Sequence, residues 1–152
     1  LSYEGKAAGV LYYEYTAALS DMMGTCKFLS PWLSPSFLNQ DVWAELLTLA
    51  SGMTFTADEL MKAGERVINV ERSFIVRDGV RRKDDYPPNR EFDLPYPSGP
   101  FKGQVRDRAK YDKMLDEYYQ RHGWDANGIP AAGKLRDLGL ADVAANLSKS
   151  GL

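Results

Sequence analysis

The sequence predicts an all-α fold: one irregular helical domain over residues 1–152, with a long connecting segment rich in proline and glycine. Apolar residues recur at three- and four-residue spacing in several windows, which is the pattern of amphipathic helices. No window shows convincing two-residue alternation, so no strand is predicted. A length of 152 residues is sufficient for a single domain with a substantial core.

The first two helices are predicted on either side of a proline- and serine-containing stretch. The first covers about residues 6–29, and Pro31 and Pro35 are expected to stop it. The second covers 41–50, with its first residue as the N-cap and Gly52 just beyond its end. The apolar stripe of the first helix consists of Leu11, Tyr15, Ala18, Leu19, Met22 and Cys26.

Four further helices are predicted between residue 56 and the C-terminus. The run Thr56–Glu59 is a capping box that begins the third helix, and this helix is predicted to end near Gly79. Later helices are predicted over about 107–122, 131–138 and 141–148, with glycines between them. The stripe of the third helix consists of Leu60, Gly64, Val67, Ile68, Glu71 and Ile75.

Residues 80–106 have a different character. The run 81–85 is charged and leads into two prolines, and further prolines and glycines follow, so no helix is predicted there. We interpret 81–85 as a salt-bridged turn that ties this segment to neighbouring helices. His122, at the end of a predicted helix, is expected to act as a cap. The tyrosines at 111, 118 and 119 are expected to pack in the core or against another subunit.

Composition excludes several classes of function. The formal charge is −2, from 19 basic and 21 acidic residues, which argues against a dedicated nucleic-acid binder. No apolar run is long enough to cross a bilayer. The single cysteine forms no internal disulfide, and this composition is typical of the reducing cytoplasm.

The single cysteine lies in a run with the pattern D-x-x-G-x-C. A thiolate is a soft ligand for iron, a carboxylate accepts hydrogen bonds, and glycine allows close backbone approach. On an unbroken helix Asp21 and Cys26 are about 140° apart, so they can face one site only if the helix loosens around Gly24. For Cys26 taken alone, the alternative is a buried structural cysteine.

Several short stretches, each weak alone, together form a pattern that is specific for one family when they are taken in order along the chain. The chain resembles the C-terminal part of the tungsten-containing aldehyde:ferredoxin oxidoreductases. The stretches that carry this resemblance are residues 21–28, 64–69, 74–79, 82–85, 87–90, 114–119, 123–125, 128–130 and 135–140.

The resemblance implies roles for five residues. Cys26 would supply one of four thiolates to a [4Fe-4S] cluster, and Asp21 would bond the pterin part of a bis-pterin tungsten or molybdenum cofactor. Gly24 would permit close approach of that cofactor. Thr25 stands where the family usually has leucine, which would place a hydroxyl near the pterin or the cluster. Lys27 would donate toward a cluster sulfide or the pterin, with simple surface exposure as its alternative.

The resemblance also implies a reaction and a set of partners. The reaction would be oxidation of a small aldehyde to a carboxylic acid, with electrons passed to ferredoxin or a similar carrier. The other three cluster cysteines and the N-terminal cofactor-binding domain of the family are not among these 152 residues. We therefore expect a C-terminal segment that is inactive alone, has the remainder of an oxidoreductase as its partner, and is compatible with a homo-oligomer.

Two alternatives remain at this stage. One is a helical packing or interaction module without a cofactor, which requires a buried Cys26. The other, inside the family, is a subunit of an aromatic acyl-CoA reductase. If the chain is separated from a parent protein, a large exposed apolar face is expected. Trp32 or Trp43 could line a substrate channel, although core packing is the preferred interpretation for both.

Overall fold

The computed structural model describes residues 1–31 and 38–152. Within these ranges the regular structure is helical, apart from an isolated bridge between Trp124 and Pro130, so the predicted all-α class is confirmed. The expectations for Trp32 and Pro35 lie outside the described residues. The helices are α1 (Lys6–Met22), α2 (Gln40–Ser51), α3 (Ala57–Arg77), α4 (Arg90–Asp93), α5 (Arg108–His122), α6 (Ala132–Asp137) and α7 (Ala141–Lys149).

The predicted N-cap of the second helix, Asp41, is wrong by two positions. Asn39 is the N-cap, because its side chain accepts a hydrogen bond of 3.1 Å from the backbone N–H of Val42. Asp41 instead lies in the first turn, where a carboxylate interacts favourably with the helix dipole. Gly52 ends the helix in the left-handed region, with φ 72°, as predicted.

The ends of α3 and α5 follow the sequence closely. The predicted capping box of α3 is confirmed, because the Thr56 side chain accepts from the backbone of Glu59 and the Glu59 carboxylate accepts from the backbone of Thr56. Asp107 caps α5 by accepting from the N–H of Lys110 at 3.0 Å, and Gly123 ends that helix.

The prediction that residues 80–106 contain no helix is wrong at two short places. A 3-10 turn spans Arg82–Asp85, and the single helical turn α4 follows two prolines and Asn89. The physical reason is that proline is tolerated at the start of a helix, where its missing N–H would have no intrahelical partner anyway. The carbonyl of Pro88 accepts from the N–H of Glu91 at 2.9 Å.

The apolar core consists of three neighbouring groups of side chains. Trp43 belongs to the first group and is almost fully buried, so its interpretation as a core residue is confirmed. The second group joins α3 to α6 and α7, and the third surrounds the end of α5. The buried members are Leu19, Trp43, Ala44 and Leu60 in the first group, Val76, Leu135, Ala144 and Leu147 in the second, and Leu115, Tyr119 and Trp124 in the third.

Helices α1 and α3 approach each other closely at Gly64. A Cβ atom placed on Gly64 would lie 2.6 Å from the backbone oxygen of Tyr15, nearer than real side chains come to a carbonyl. The backbone of α1 cannot yield locally, because this carbonyl belongs to the helix itself. The absence of a side chain at Gly64 therefore fixes the distance between the two helices.

A buried arginine joins α3 to two later parts of the chain. The guanidinium of Arg72, with the side chain 6% exposed, donates to both carboxylate oxygens of Asp85 at 2.9 and 2.6 Å. Its Nε donates to the backbone oxygen of Gly128 at 2.7 Å, and its Cζ lies 4.7 Å from the ring centroid of Trp124. The predicted role of the charged run as a salt-bridged turn is thus confirmed.

The charge of Asp85 is stabilised by this arrangement. Burial by itself raises the pKa of the Asp85 carboxyl, but hydrogen bonds from Arg72 and from the Tyr119 hydroxyl, together with the charge of Arg72, bring the pKa below its ordinary value. Burial likewise lowers the pKa of Arg72, and the contact with Asp85 outweighs it, so that the net pKa is raised. Both groups are therefore ionised at neutral pH.

We predict that Gly64→Ala destabilises the chain by about 1–3 kcal/mol, because the new methyl group forces α1 and α3 apart. The matched control is Gly9→Ala in α1, where a Cβ meets nothing within 4 Å. That change should stabilise the chain by about 0.5–1 kcal/mol, since alanine favours a helix interior. Urea denaturation measures both, and an equal effect of the two substitutions would contradict the proposed close approach.

We predict that Asp85→Asn destabilises the chain by about 3 kcal/mol at pH 7, because it leaves the buried Arg72 charge without its partner. The control Asp78→Asn, in an exposed pair of 3.8 Å with Arg77, should cost less than about 1 kcal/mol. Since folding lowers the pKa of Asp85, its stabilising contribution is complete above the ordinary carboxyl pKa of about 3.9 and is lost as pH falls through the folded-state value. The difference in free energy of unfolding between the parent and Asp85→Asn, measured by urea denaturation, should therefore shrink toward pH 3 and below. A difference that stays constant with pH would contradict this assignment.

Candidate functional site

The cysteine lies in a loop that begins where α1 ends. The first helix stops at Met22, seven residues before the predicted end at 29, and Gly24 adopts a left-handed conformation with φ 65°. Cys26 has extended backbone, with φ −68° and ψ 128°, and a 3-10 turn begins at Lys27. The predicted helix to residue 29 is therefore wrong, because the helix ends just before Gly24. This ending meets the condition under which Asp21 and Cys26 can face one site.

The loop is closed by a Schellman motif. The N–H of Thr25 donates to the carbonyl of Ser20 at 2.9 Å, and the N–H of Gly24 donates to the carbonyl of Asp21 at 3.2 Å. The Thr25 hydroxyl also donates to the Ser20 carbonyl, at 3.3 Å. These bonds satisfy the last carbonyls of the helix and hold Cys26 in one place relative to α1.

The Cys26 thiol is exposed, which contradicts the alternative of a buried structural cysteine. Its neighbours along the chain are exposed apolar side chains: Met22 at 49%, Phe28 at 61% and Leu29 at 51%. A Cβ on Gly24 would meet nothing within 4 Å, so the backbone at this position is open to close approach. Three large apolar side chains within four residues of the cysteine are thus exposed, and whether they form the large apolar face expected for a separated domain stays a prediction.

Asp21 and Lys27 form an ion pair across the loop. The Nζ atom of Lys27 lies 2.9 Å from Oδ2 of Asp21, and the two side chains are 52% and 64% exposed. The resemblance implies a separate cofactor contact for each residue, and the sequence does not predict that they contact each other. Their six-residue separation becomes a contact only because the helix ends between them.

A buried polar cluster fixes α1 against α5. Glu14 accepts a hydrogen bond of 2.8 Å from the Tyr118 hydroxyl, and its other oxygen lies 3.1 Å from Nε2 of His122. The ring of His122 is fully buried and stacks on Trp124, with centroids 4.4 Å apart. The prediction that His122 caps its own helix is wrong, because its ring nitrogens face α1, with Nδ1 3.5 Å from the hydroxyl of Tyr15.

The tyrosines of this cluster remain protonated. Burial raises the pKa of Tyr118 above its ordinary value, and the adjacent Glu14 carboxylate raises it further. Burial followed by the carboxylate of Glu65 raises the pKa of Tyr15 in the same way. Glu14 and Glu65 are not predicted as members of this cluster, since nothing in their local sequence shows that distant hydroxyl groups will contact them.

The residues of the loop have the chemistry to bind part of the cofactors that the resemblance implies. Cys26 offers an accessible thiol for iron, and Asp21 offers an exposed carboxylate as a hydrogen-bond acceptor. In residues 1–31 and 38–152 there is no group of three or more histidine, cysteine or acidic side chains able to hold a metal ion. This part of the chain can thus contribute one ligand to a centre completed by other groups.

Comparison with known proteins assigns the family. The family model described as "Aldehyde ferredoxin oxidoreductase, domains 2 & 3" matches residues 1–140. The chain therefore belongs to the aldehyde ferredoxin oxidoreductase family, in agreement with the resemblance found in the sequence.

Individual relatives agree with this assignment. The tungsten-containing aldehyde ferredoxin oxidoreductase of Pyrococcus furiosus is 33% identical over 140 residues, which cover 91% of this chain and 22% of that protein. The Thermococcus kodakarensis protein of the same name is 32% identical over 138 residues, covering 90% of this chain and 22% of that protein. The "Aliphatic sulfonate oxidoreductase, WOR-like subunit" of P. furiosus is 30% identical over 137 residues, covering 86% and 21%.

A solved structure has the same fold. The active-site complex BamBC of benzoyl coenzyme A reductase, in complex with 1,5-dienoyl-CoA, superposes with a TM-score of 0.80 at 26% identity, over 99% of this chain and 21% of that chain. The present chain thus spans about a fifth of the length of the proteins it matches. None of the helices described is long and apolar enough to cross a membrane.

We predict that Cys26 in the cofactor-free chain reacts with one equivalent of a maleimide under native conditions, because its thiol is exposed. Mass spectrometry measures the label, and the same chain unfolded in urea provides the reference for complete labelling. Labelling that requires urea would contradict the exposed loop.

Proposed function

We propose that the chain is the cluster-ligating C-terminal part of a tungsten- or molybdenum-dependent oxidoreductase that converts an aldehyde to a carboxylic acid. The observation that carries the proposal is the exposed thiol of Cys26 on a hydrogen-bonded loop at the end of α1. Membership in the family supports the same assignment. The chain represents about a fifth of its relatives' length, so we expect it to act together with the remainder of an oxidoreductase.

The proposed reaction is balanced by an external electron acceptor. An aldehyde and water give a carboxylic acid, two protons and two electrons, and two molecules of oxidised ferredoxin or a similar carrier each accept one electron. When bound, a metal–pterin centre supplies two-electron oxidation and a [4Fe-4S] cluster supplies single-electron transfer.

The residues of the loop have distinct proposed roles. Cys26 provides one thiolate to the cluster, and Asp21 accepts a hydrogen bond from the pterin. Gly24 lets the backbone approach the cofactor without obstruction by a side chain. Thr25 holds the loop through its bonds to Ser20 and lies beside the cofactor rather than providing a ligand. No residue of this chain is proposed to act directly on the aldehyde.

The second candidate is a subunit of an aromatic acyl-CoA reductase. The observation that favours it is the match of nearly the whole chain to a benzoyl coenzyme A reductase complex. We rank it second, because the relatives of higher sequence identity are aldehyde ferredoxin oxidoreductases and the run 82–85 resembles that branch. Turnover of an aldehyde and of an aromatic acyl-CoA by the metal-loaded protein distinguishes the two candidates.

We predict that Cys26→Ser in the metal-loaded protein that carries this chain lowers the iron content below the roughly four atoms of a cubane cluster, because one thiolate ligand is lost. The control is Lys83→Met, since Lys83 is exposed and lies on the charged turn rather than on the loop. Iron is measured by elemental analysis and the cluster by electron paramagnetic resonance. Unchanged iron and an unchanged cluster spectrum in Cys26→Ser would contradict the proposed function.

A further inference from the structure

The ion pair between Asp21 and Lys27 spans the loop that presents Cys26. Asp21 is in the last turn of α1, and Lys27 directly follows the cysteine, so their contact of 2.9 Å brings together the two sides of the loop. The Schellman bonds that end at Thr25 already close the backbone. The ion pair adds a side-chain connection beyond the cysteine itself.

We propose that Lys27 is a positioning residue that balances the charge of Asp21 beside the cluster, rather than a direct ligand of the cofactor. This inference rests on the proposed function, in which Cys26 ligates that cluster. It replaces the separate assignment of Lys27 to a cluster sulfide or the pterin. The ammonium group is already directed to a carboxylate, and this contact accounts for its position.

The ion pair also orients the carboxylate of Asp21. Lys27 contacts Oδ2, and the carboxylate keeps further lone pairs with which it can accept a hydrogen bond from another group. One carboxylate can therefore serve both the lysine and the pterin. Without Lys27, the exposed side chain of Asp21 would lose this contact and sample more rotamers.

The ion pair predicts in which direction each substitution shifts the reduction potential of the cluster. The reduction potential of an iron–sulfur cluster depends on the net charge around it, because reduction adds one negative charge. Asp21 without Lys27 would oppose that added charge, and Lys27 without Asp21 would favour it. Together the two charges nearly cancel at a distance.

The surroundings of the loop determine how large this effect is. A charge in water is screened within about 8 Å at physiological ionic strength, whereas a charge covered by apolar groups acts much more strongly. Met22, Phe28 and Leu29 expose apolar side chains on the same loop. Cover of this surface by the remainder of the oxidoreductase would exclude water from the pair.

The test is a redox titration of the metal-loaded protein that carries this chain, monitored by electron paramagnetic resonance. A low-potential one-electron mediator donates one electron to each oxidised cluster. The variants are Lys27→Met, Asp21→Asn, the double variant and Lys27→Arg, and the control is Lys102→Met at an exposed lysine of the segment before α5. Iron content is measured for each protein, together with that of Cys26→Ser.

We expect Lys27→Met to lower the equilibrium constant for cluster reduction about tenfold, which is 59 mV for a one-electron couple. Asp21→Asn should raise it, the double variant should return close to the parent, and Lys27→Arg and Lys102→Met should remain within about twofold of it, since the net charge near the loop is kept. If Asp21→Asn loses its cofactors, the contrast between Lys27→Met and Lys27→Arg still decides the question.

Two results separate the possible failures. If Cys26→Ser loses iron but Lys27→Met and Lys27→Arg have the same potential as the parent, the inference about Lys27 is overturned and the proposed function stands. If Cys26→Ser keeps all its iron and its potential, the proposed function fails, and the inference fails with it.

Discussion

The bidentate contact between Arg72 and Asp85 holds three distant parts of the chain in one arrangement. Arg72 belongs to α3, Asp85 ends the 3-10 turn of the charged segment, and the same guanidinium donates to Gly128 in the turn after α5. Tyr119 of α5 adds its hydroxyl to Asp85. A buried ion pair is costly unless its hydrogen bonds are satisfied, and this one uses both carboxylate oxygens. The irregular segment is therefore fixed by specific polar contacts as well as by apolar packing.

The position of the cysteine loop depends on a second set of contacts, those of α1 with α3 and α5. Helix α1 packs on α3 at Gly64 and is held to α5 through Glu14, which contacts both Tyr118 and His122. The loop at the end of α1 then takes its position from the Schellman motif at Gly24. A site at one end of a helix is thus placed by contacts with the middle of that helix. This arrangement keeps the thiol accessible while the elements that position it are buried.

The sequence predicted features that depend on neighbouring residues better than those that depend on distant partners. The capping box of α3 and both ends of α5 are local patterns, and they were predicted closely. The buried face of α3 was predicted from apolar spacing, but the structure buries Asn69 and Arg72 and exposes part of Ile75. Apolar periodicity cannot identify such positions, because their partners, Trp124 and Gly128, lie more than 50 residues away.

In the candidate site, too, local features were predictable from the sequence and contacts between separated residues were not. The motif around Cys26 supplies the candidate residues of the site. Glycine after an apolar stripe is a known signal for the end of a helix, and the predicted boundary at 29 neglected it. The contact between Asp21 and Lys27 depends on that ending and could not be predicted without it.

The measurement that tests the account most directly is elemental analysis of the natively purified protein for tungsten, molybdenum and iron. We expect one tungsten or molybdenum and about four irons per chain, and a protein that is purified active on an aldehyde yet contains no iron would contradict the account.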